Sequence, residues 1–83
     1  MKTATDLEHA TNAALAIAKL HKGDFPEAIN WADLHACDER QDAEGQWHVW
    51  IEEADPGAEK LRKFVEKCLA NDGFGAVTVT TEW

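Results

Sequence analysis

Eighty-three residues make one domain, residues 1–83, too small to bury a core without a few large side chains. Four Trp and three Phe supply them, and 45% hydrophobic content excludes a disordered chain at this charge. A net charge of −8 argues against direct binding of nucleic acid or an anionic membrane, which needs clustered Lys and Arg, and favours partners with a basic surface.

The opening Met1-Lys2-Thr3-Ala4-Thr5 lacks the apolar stretch of a secretory signal, and no segment has the length of a membrane span. The expected setting is the cytoplasm, with both Cys reduced. A Cys37–Cys68 disulfide is the alternative, since both residues fall on predicted core-facing sides.

The first predicted element is a helix from about Thr5 to Lys22. Thr5 with Glu8 reads as a capping box, and Gly23 as a left-handed stop. Leu7, Ala10, Ala14, Ile17 and Ala18 form its apolar stripe, with Ala13 and Leu20 at the edge. Glu8, Thr11, Asn12, Lys19 and Lys22 fall outside it. Asp24-Phe25-Pro26-Glu27 is a connector because Pro26 has no amide to donate, and a single helical turn fits around Pro26 to Ile29.

Trp31 to Arg40 and Gln46 to Glu53 read as antiparallel strands. Asp42-Ala43-Glu44-Gly45 between them fits a type I turn closed by a left-handed Gly. That turn pairs Asp42 with Gln46, Arg40 with His48, Asp38 with Trp50 and Ala36 with Glu52, whereas a four-residue loop would shift the pairing by one residue. Alternation then places His35, Cys37, Trp47, Val49 and Ile51 on a core face. Leu34, Ala36, Asp38, Arg40, His48 and Trp50 fall on the other.

Asp55 as cap and Pro56 in the first helical position announce a second helix. Its stripe is Ala58, Leu61, Phe64, Val65, Cys68 and Leu69, and Asn71-Asp72-Gly73 ends it. The last strand is Phe74 to Glu82, with Val77 and Val79 inward and Thr78 and Thr80 outward. The order α-β-β-α-β predicts an α+β, two-layer sandwich: a three-stranded sheet with two helices packed on one face. A third strand parallel to the second implies a right-handed crossover.

Charge is segregated along this chain. Asp24 to Asp55 holds ten acidic residues against Arg40 alone, while the second helix carries Lys60, Arg62, Lys63 and Lys67 against Glu59 and Glu66. Spaced pairs such as Glu59–Lys63 and Arg62–Glu66 suit a solvated helix surface. The acidic hairpin either protects a sheet edge by charge or docks a basic partner. In this register Trp50 projects away from the helices and is the natural anchor of such a surface; a different register, or a loop over the ring, would cover it instead. The candidate protein-binding set is Trp50, His48, Leu34, Asp38, Arg40 and Glu52.

No residues assemble into an enzyme signature, so none is assigned a catalytic, cofactor-binding or metal role. His35, Cys37, His48 and Cys68 are ligand types, but no Cys-x-x-Cys pair exists and His48 falls on the face opposite His35. Cys68 is mid-helix in an apolar stripe, where a thiolate is disfavoured. Glu52 and Glu53 face opposite sides of a strand. Gly73-Phe74-Gly75 follows a helix and precedes a strand, the reverse of a phosphate-binding loop. The expected function is non-enzymatic: a binding or regulatory protein acting through the acidic hairpin face centred on Trp50. In size, acidity and lack of a catalytic signature the chain also resembles small proteins of phages and mobile elements. Some of those inhibit basic host proteins by presenting carboxylates where phosphates would sit. A structural homo-oligomer, dimerising sheet to sheet, is the third reading.

Overall fold

The computed structural model describes residues 2–26, 31–52 and 58–81. Helix α1 (Ala4–Lys19) starts one cap earlier than the Thr5–Glu8 spacing suggests. Thr3 is the N-cap: its hydroxyl accepts from the Asp6 amide at 3.1 Å, and Asp6 accepts from the Thr3 amide at 2.9 Å. The reciprocal bond from the Thr3 amide holds the Asp6 carboxyl below its usual range. Aspartate at the third helical position completes the box as glutamate does, and it also meets the positive end of the helix. Thr3→Ala is expected to lower the unfolding free energy by about 1 kcal/mol. Thr5→Ala should change it little, and urea denaturation of the two variants separates the assignments.

The helix ends at Lys19, and Gly23 does not stop it. Gly23 lies in a following 3₁₀ turn, Lys22–Asp24, and is not among the left-handed glycines. The buried side of α1 is Leu7, Thr11, Ala14, Leu15 and Ala18. Relative to the predicted stripe it is rotated toward Thr11 and Leu15. Ile17 is 48% and Leu20 81% exposed, and Ala13 is exposed beside them.

The helical turn expected from Pro26 to Ile29 falls largely outside the described residues. Trp31–Asp33 is a 3₁₀ turn, not strand, and β1 runs His35–Gln41. The hairpin tip forms as its residues dictate. The Asp42 amide donates to Gln46 at 2.9 Å, the Gly45 amide to Asp42 at 3.0 Å, and Gly45 has φ +88°. Arg40 stands opposite His48 as expected. Beyond it the predicted register fails. A bulge between Cys37 and Arg40, with Asp38 at φ +54°, inserts one residue. Trp50 therefore pairs with Cys37 instead of Asp38, Ile51 with Ala36, and Glu52 with His35 instead of Ala36. Aspartate is among the few residues that enter the left-handed region readily.

That one insertion inverts the first half of β1. Ala36, expected outside, is buried, whereas His35 and Cys37, expected in the core, turn to the other face. Strand β2 (Trp47–Glu52) alternates as predicted, with Trp47, Val49 and Ile51 inward. Strand β3 (Val77–Thr80) is shorter than predicted, with Val77 and Val79 buried and Thr78 and Thr80 exposed. It pairs with β2 in parallel, giving the sheet order β1-β2-β3.

Helix α2 (Glu59–Leu69) buries Leu61, Val65 and Leu69, and Phe64 and Cys68 pack against the core from its margin. Ala58 occupies the N-cap without a side-chain bond; the expected cap Asp55 and Pro56 lie outside the described residues. After Leu69 a wide turn, Ala70–Phe74, carries the chain round through Gly73 at φ +93° and delivers Phe74 into the core. Phe74 meets Trp47 edge-on, ring centres 6.2 Å apart, and Lys2 covers its other side at 5.0 Å. At the opposite end Phe25 packs on Phe64 at 5.3 Å and on Trp31 at 6.3 Å. The result is α+β, in the order α-β-β-α-β: a three-stranded mixed sheet whose apolar face is covered by two helices that also touch each other. Among the described residues no helix is long and apolar enough to cross a membrane.

Candidate functional site

With both helices on one face, the other face of the sheet is left to polar and aromatic side chains. Strand β2 sends His48, Trp50 and Glu52 to it, all half-buried. The bulged β1 adds His35, Cys37 and, past the bulge, Arg40 opposite His48. Thr78 and Thr80 of β3 stand opposite His48 and Trp50 and complete it.

Two histidine–carboxylate pairs frame Trp50. His48 Nε2 lies 2.9 Å from Asp42 Oδ2, while Asp42 Oδ1 accepts the Glu44 and Gln46 amides, each at 2.9 Å. The hydrogen bond from His48, then that from the Gln46 amide, holds Asp42 below the usual carboxylate range. On the other side His35 Nε2 lies 2.9 Å from Glu52 Oε2, and its Nδ1 lies 2.9 Å from the Asp33 carbonyl. A neutral imidazole has one donor and one acceptor, so only the imidazolium donates to both of these oxygens.

Histidine beside carboxylate and thiol is an arrangement that can activate a nucleophile. Here the geometry opposes it. Both nitrogens of His35 already face oxygen atoms, so neither is placed to take the proton of Cys37. Burial, and then Glu52, Glu39 and Asp38, push the Cys37 thiol up, away from thiolate. The hollow at this end of the face, bordered by Ala32, Asp33, Leu34, His35 and Glu52, is shallow and open. Neither cysteine is in a disulfide, and the sheet separates Cys37 on its open face from Cys68 on α2. Among the described residues no three His, Cys, Asp or Glu side chains come together so as to hold a metal ion.

No protein-family model matches the chain, and neither a curated protein nor a solved structure is detectably similar to it. The face is therefore read on its geometry alone. Of the residues expected there, Trp50, His48, Arg40 and Glu52 are brought together. Leu34, half-buried, packs against the core and also borders the hollow at the His35–Glu52 end of the face. Asp38 is exposed, but it sits in the bulge and has no partner in β2. His35 and Cys37 belong to the face although alternation from the turn had placed them inside. The only sequence signal was the adjacent pair Asp38-Glu39, two charged residues that a regular strand would have had to send to opposite sides.

Glu39 is the unexpected member of the bulge. One of its oxygens is buried without a hydrogen-bond partner. Burial, and then the neighbouring charge of Glu8 on α1, push its carboxyl above the usual range. On the far side of α1, Ile17 and Leu20 form a small exposed apolar patch next to Ala13 and Ala16.

Proposed function

We propose that the protein is a non-enzymatic binding module whose docking surface is the open sheet face around Trp50, and that its partner presents a basic surface. One observation carries this reading. A large indole, half-buried, sits at the middle of the one sheet face that neither helix covers, between His35–Glu52 and His48–Asp42. An aromatic anchor surrounded by polar groups that exclude water is the usual composition of an energetic centre in an interface. The exposed carboxylates of Asp33, Asp38, Asp42 and Glu44 along the same edge give the charge complementarity that steers a cationic partner.

By contrast, the basic residues of α2 are partly used within the helix. Arg62 lies 2.5 Å from Glu59 and 2.9 Å from Glu66, and Lys63 lies 3.7 Å from Glu59. The polarity of the molecule therefore favours its acidic side as the outward-acting one.

The test is the double variant Trp50→Ala with Glu52→Gln. Asp38 is left alone, because a bulkier residue at φ +54° would strain the bulge and confuse binding with folding. Proteins captured from the native host's extract by the wild type should be weakened on the order of 30-fold in affinity by the double variant, as expected when an anchor worth about 2 kcal/mol is cut. Their contact surfaces should be basic, and their association should slow with added salt. Capture of the same proteins with unchanged affinity by the double variant would sink the proposal. If duplex DNA competes for the captured protein, the carboxylates are acting as phosphate mimics.

A further inference from the structure

A three-stranded sheet has two edges, and each offers unpaired backbone amides to any passing strand. In this protein each edge receives one side chain from a helix. On β1, Asn12 of α1 accepts the Ala36 amide at 2.8 Å. On β3, Glu66 of α2 accepts the Val79 amide at 3.3 Å. An amide given to a helix side chain is turned away from β2, so both contacts lie on the outer edges.

The two edges are otherwise unlike. Strand β1 is also protected by its bulge, with Asp38 in the left-handed region, and by the charges of Asp38, Glu39 and Arg40. Such strands pair poorly with newcomers. Strand β3 has neither device. Val77-Thr78-Val79-Thr80 is regular, uncharged and made of strand-favouring residues. Among the described residues, no strand pairs with its outer side.

Glu66 is held firmly for this task. The same oxygen that takes the Val79 amide lies 2.9 Å from Arg62 Nη1, and Arg62 Nη2 is held at 2.5 Å by Glu59. The Glu59–Arg62–Glu66 chain thus brings a fixed carboxylate to the edge that, among the described residues, the strand's own side chains leave without a charge.

We propose that Glu66 guards the β3 edge, and that without it β3 pairs with β3 of a second copy of this chain. The strand is its own complement. In an antiparallel two-fold pairing centred on Val79, Val79 meets Val79, Thr78 meets Thr80 and Val77 meets Thr81, so the buried side chains stay on the core face and the exposed threonines on the open one. A neutral edge exerts no charge selection for a foreign partner, whereas a second copy matches it face for face. In the intact protein the same approach would bring two Glu66 carboxylates to the junction, which opposes it further. The proposal concerns an edge and does not depend on the face around Trp50.

Sedimentation of the full chain over a range of concentrations tests it. Glu66→Ala is expected to rise in mass toward twice the monomer as concentration increases, while the wild type does not. Glu66→Gln should behave as the wild type, because its amide oxygen still accepts the Val79 amide. Adding Thr80→Lys to Glu66→Ala puts a charge on the edge and should abolish the association. If Glu66→Ala does not melt cooperatively, Glu66→Asp, one methylene too short to reach the amide, takes its place. A variant lacking the contact that keeps the wild-type mass at every concentration overturns the proposal. So does association that survives Thr80→Lys, or a wild type that already associates and is dispersed by Thr80→Lys.

Discussion

Leu7→Ala is expected to lower the unfolding free energy by about 2–5 kcal/mol, and Leu20→Ala on the same helix by no more than about 0.5 kcal/mol. Leu7 is fully buried on the inner side of α1, whereas Leu20 is 81% exposed. Truncating Leu7 removes apolar contacts and leaves a cavity in a close-packed core. Truncating Leu20 removes a side chain that is already mostly in water. A domain of this length has on the order of 4–12 kcal/mol of net stability, so the first variant should be close to unfolding at 37 °C. Urea midpoints of the two proteins decide the matter. Equal losses would mean that α1 packs on the side predicted from its alanine stripe and not on the side of Thr11 and Leu15.

Glu39 gives the second large effect, and it depends on pH. Its carboxyl is pushed above its ordinary value of 4.5 by burial and then by Glu8. Below that ordinary value both the folded and the unfolded chain hold the proton, so the residue costs nothing. As pH rises the unfolded chain ionises first, and stability falls from about pH 4.5 up through the raised folded value. Above that value the whole cost is present. Glu39→Gln cannot ionise and so carries no charge to be repelled by Glu8. It is expected to be about 1 kcal/mol more stable than the wild type at pH 7 and no more stable at pH 4. The figure is at the low end because the group is only partly buried. Denaturant titrations of both proteins at the two pH values check it, and a stability gap that does not change with pH would rule out the ionisation argument.

The fold was legible wherever the deciding interactions are local. The turn Asp42-Ala43-Glu44-Gly45 needs only its own four residues. The alternation of Trp47, Val49 and Ile51 against His48 and Trp50 needs only the pleat. The stripe of α2 is legible because Leu61, Val65 and Leu69 leave no doubt about its side. The rest depended on contacts across the chain. An alanine-rich helix such as α1 has no strongly marked side, so a contact with β1 helps decide it: the Asn12 side-chain carbonyl accepts the Ala36 amide, and Thr11 is buried with its hydroxyl unpartnered. The bulge at Asp38 is likewise a choice between two registers that local propensity barely separates. It was enough to turn Leu34 toward the core at the margin of the candidate face and bring His35 and Cys37 onto it, while Trp50 kept its place because it rides on β2.

Strand β2 is shared by two kinds of pairing, and that has a consequence for how the molecule assembles. Its antiparallel partner β1 is reached by closing a loop of about five residues, its parallel partner β3 by closing about two dozen. Chain entropy alone makes the second closure only about 1.4 kcal/mol harder. The larger difference is that the chain between β2 and β3 must pass through α2 and the turn at Gly73 before it can run parallel to β2. The hairpin can form in microseconds from local contacts, but two strands by themselves are marginal in water. Lasting order in the hairpin thus needs packing from outside it, and the strands that carry Trp50 receive it from α1, which lies against β1, and from β3, which pairs along β2.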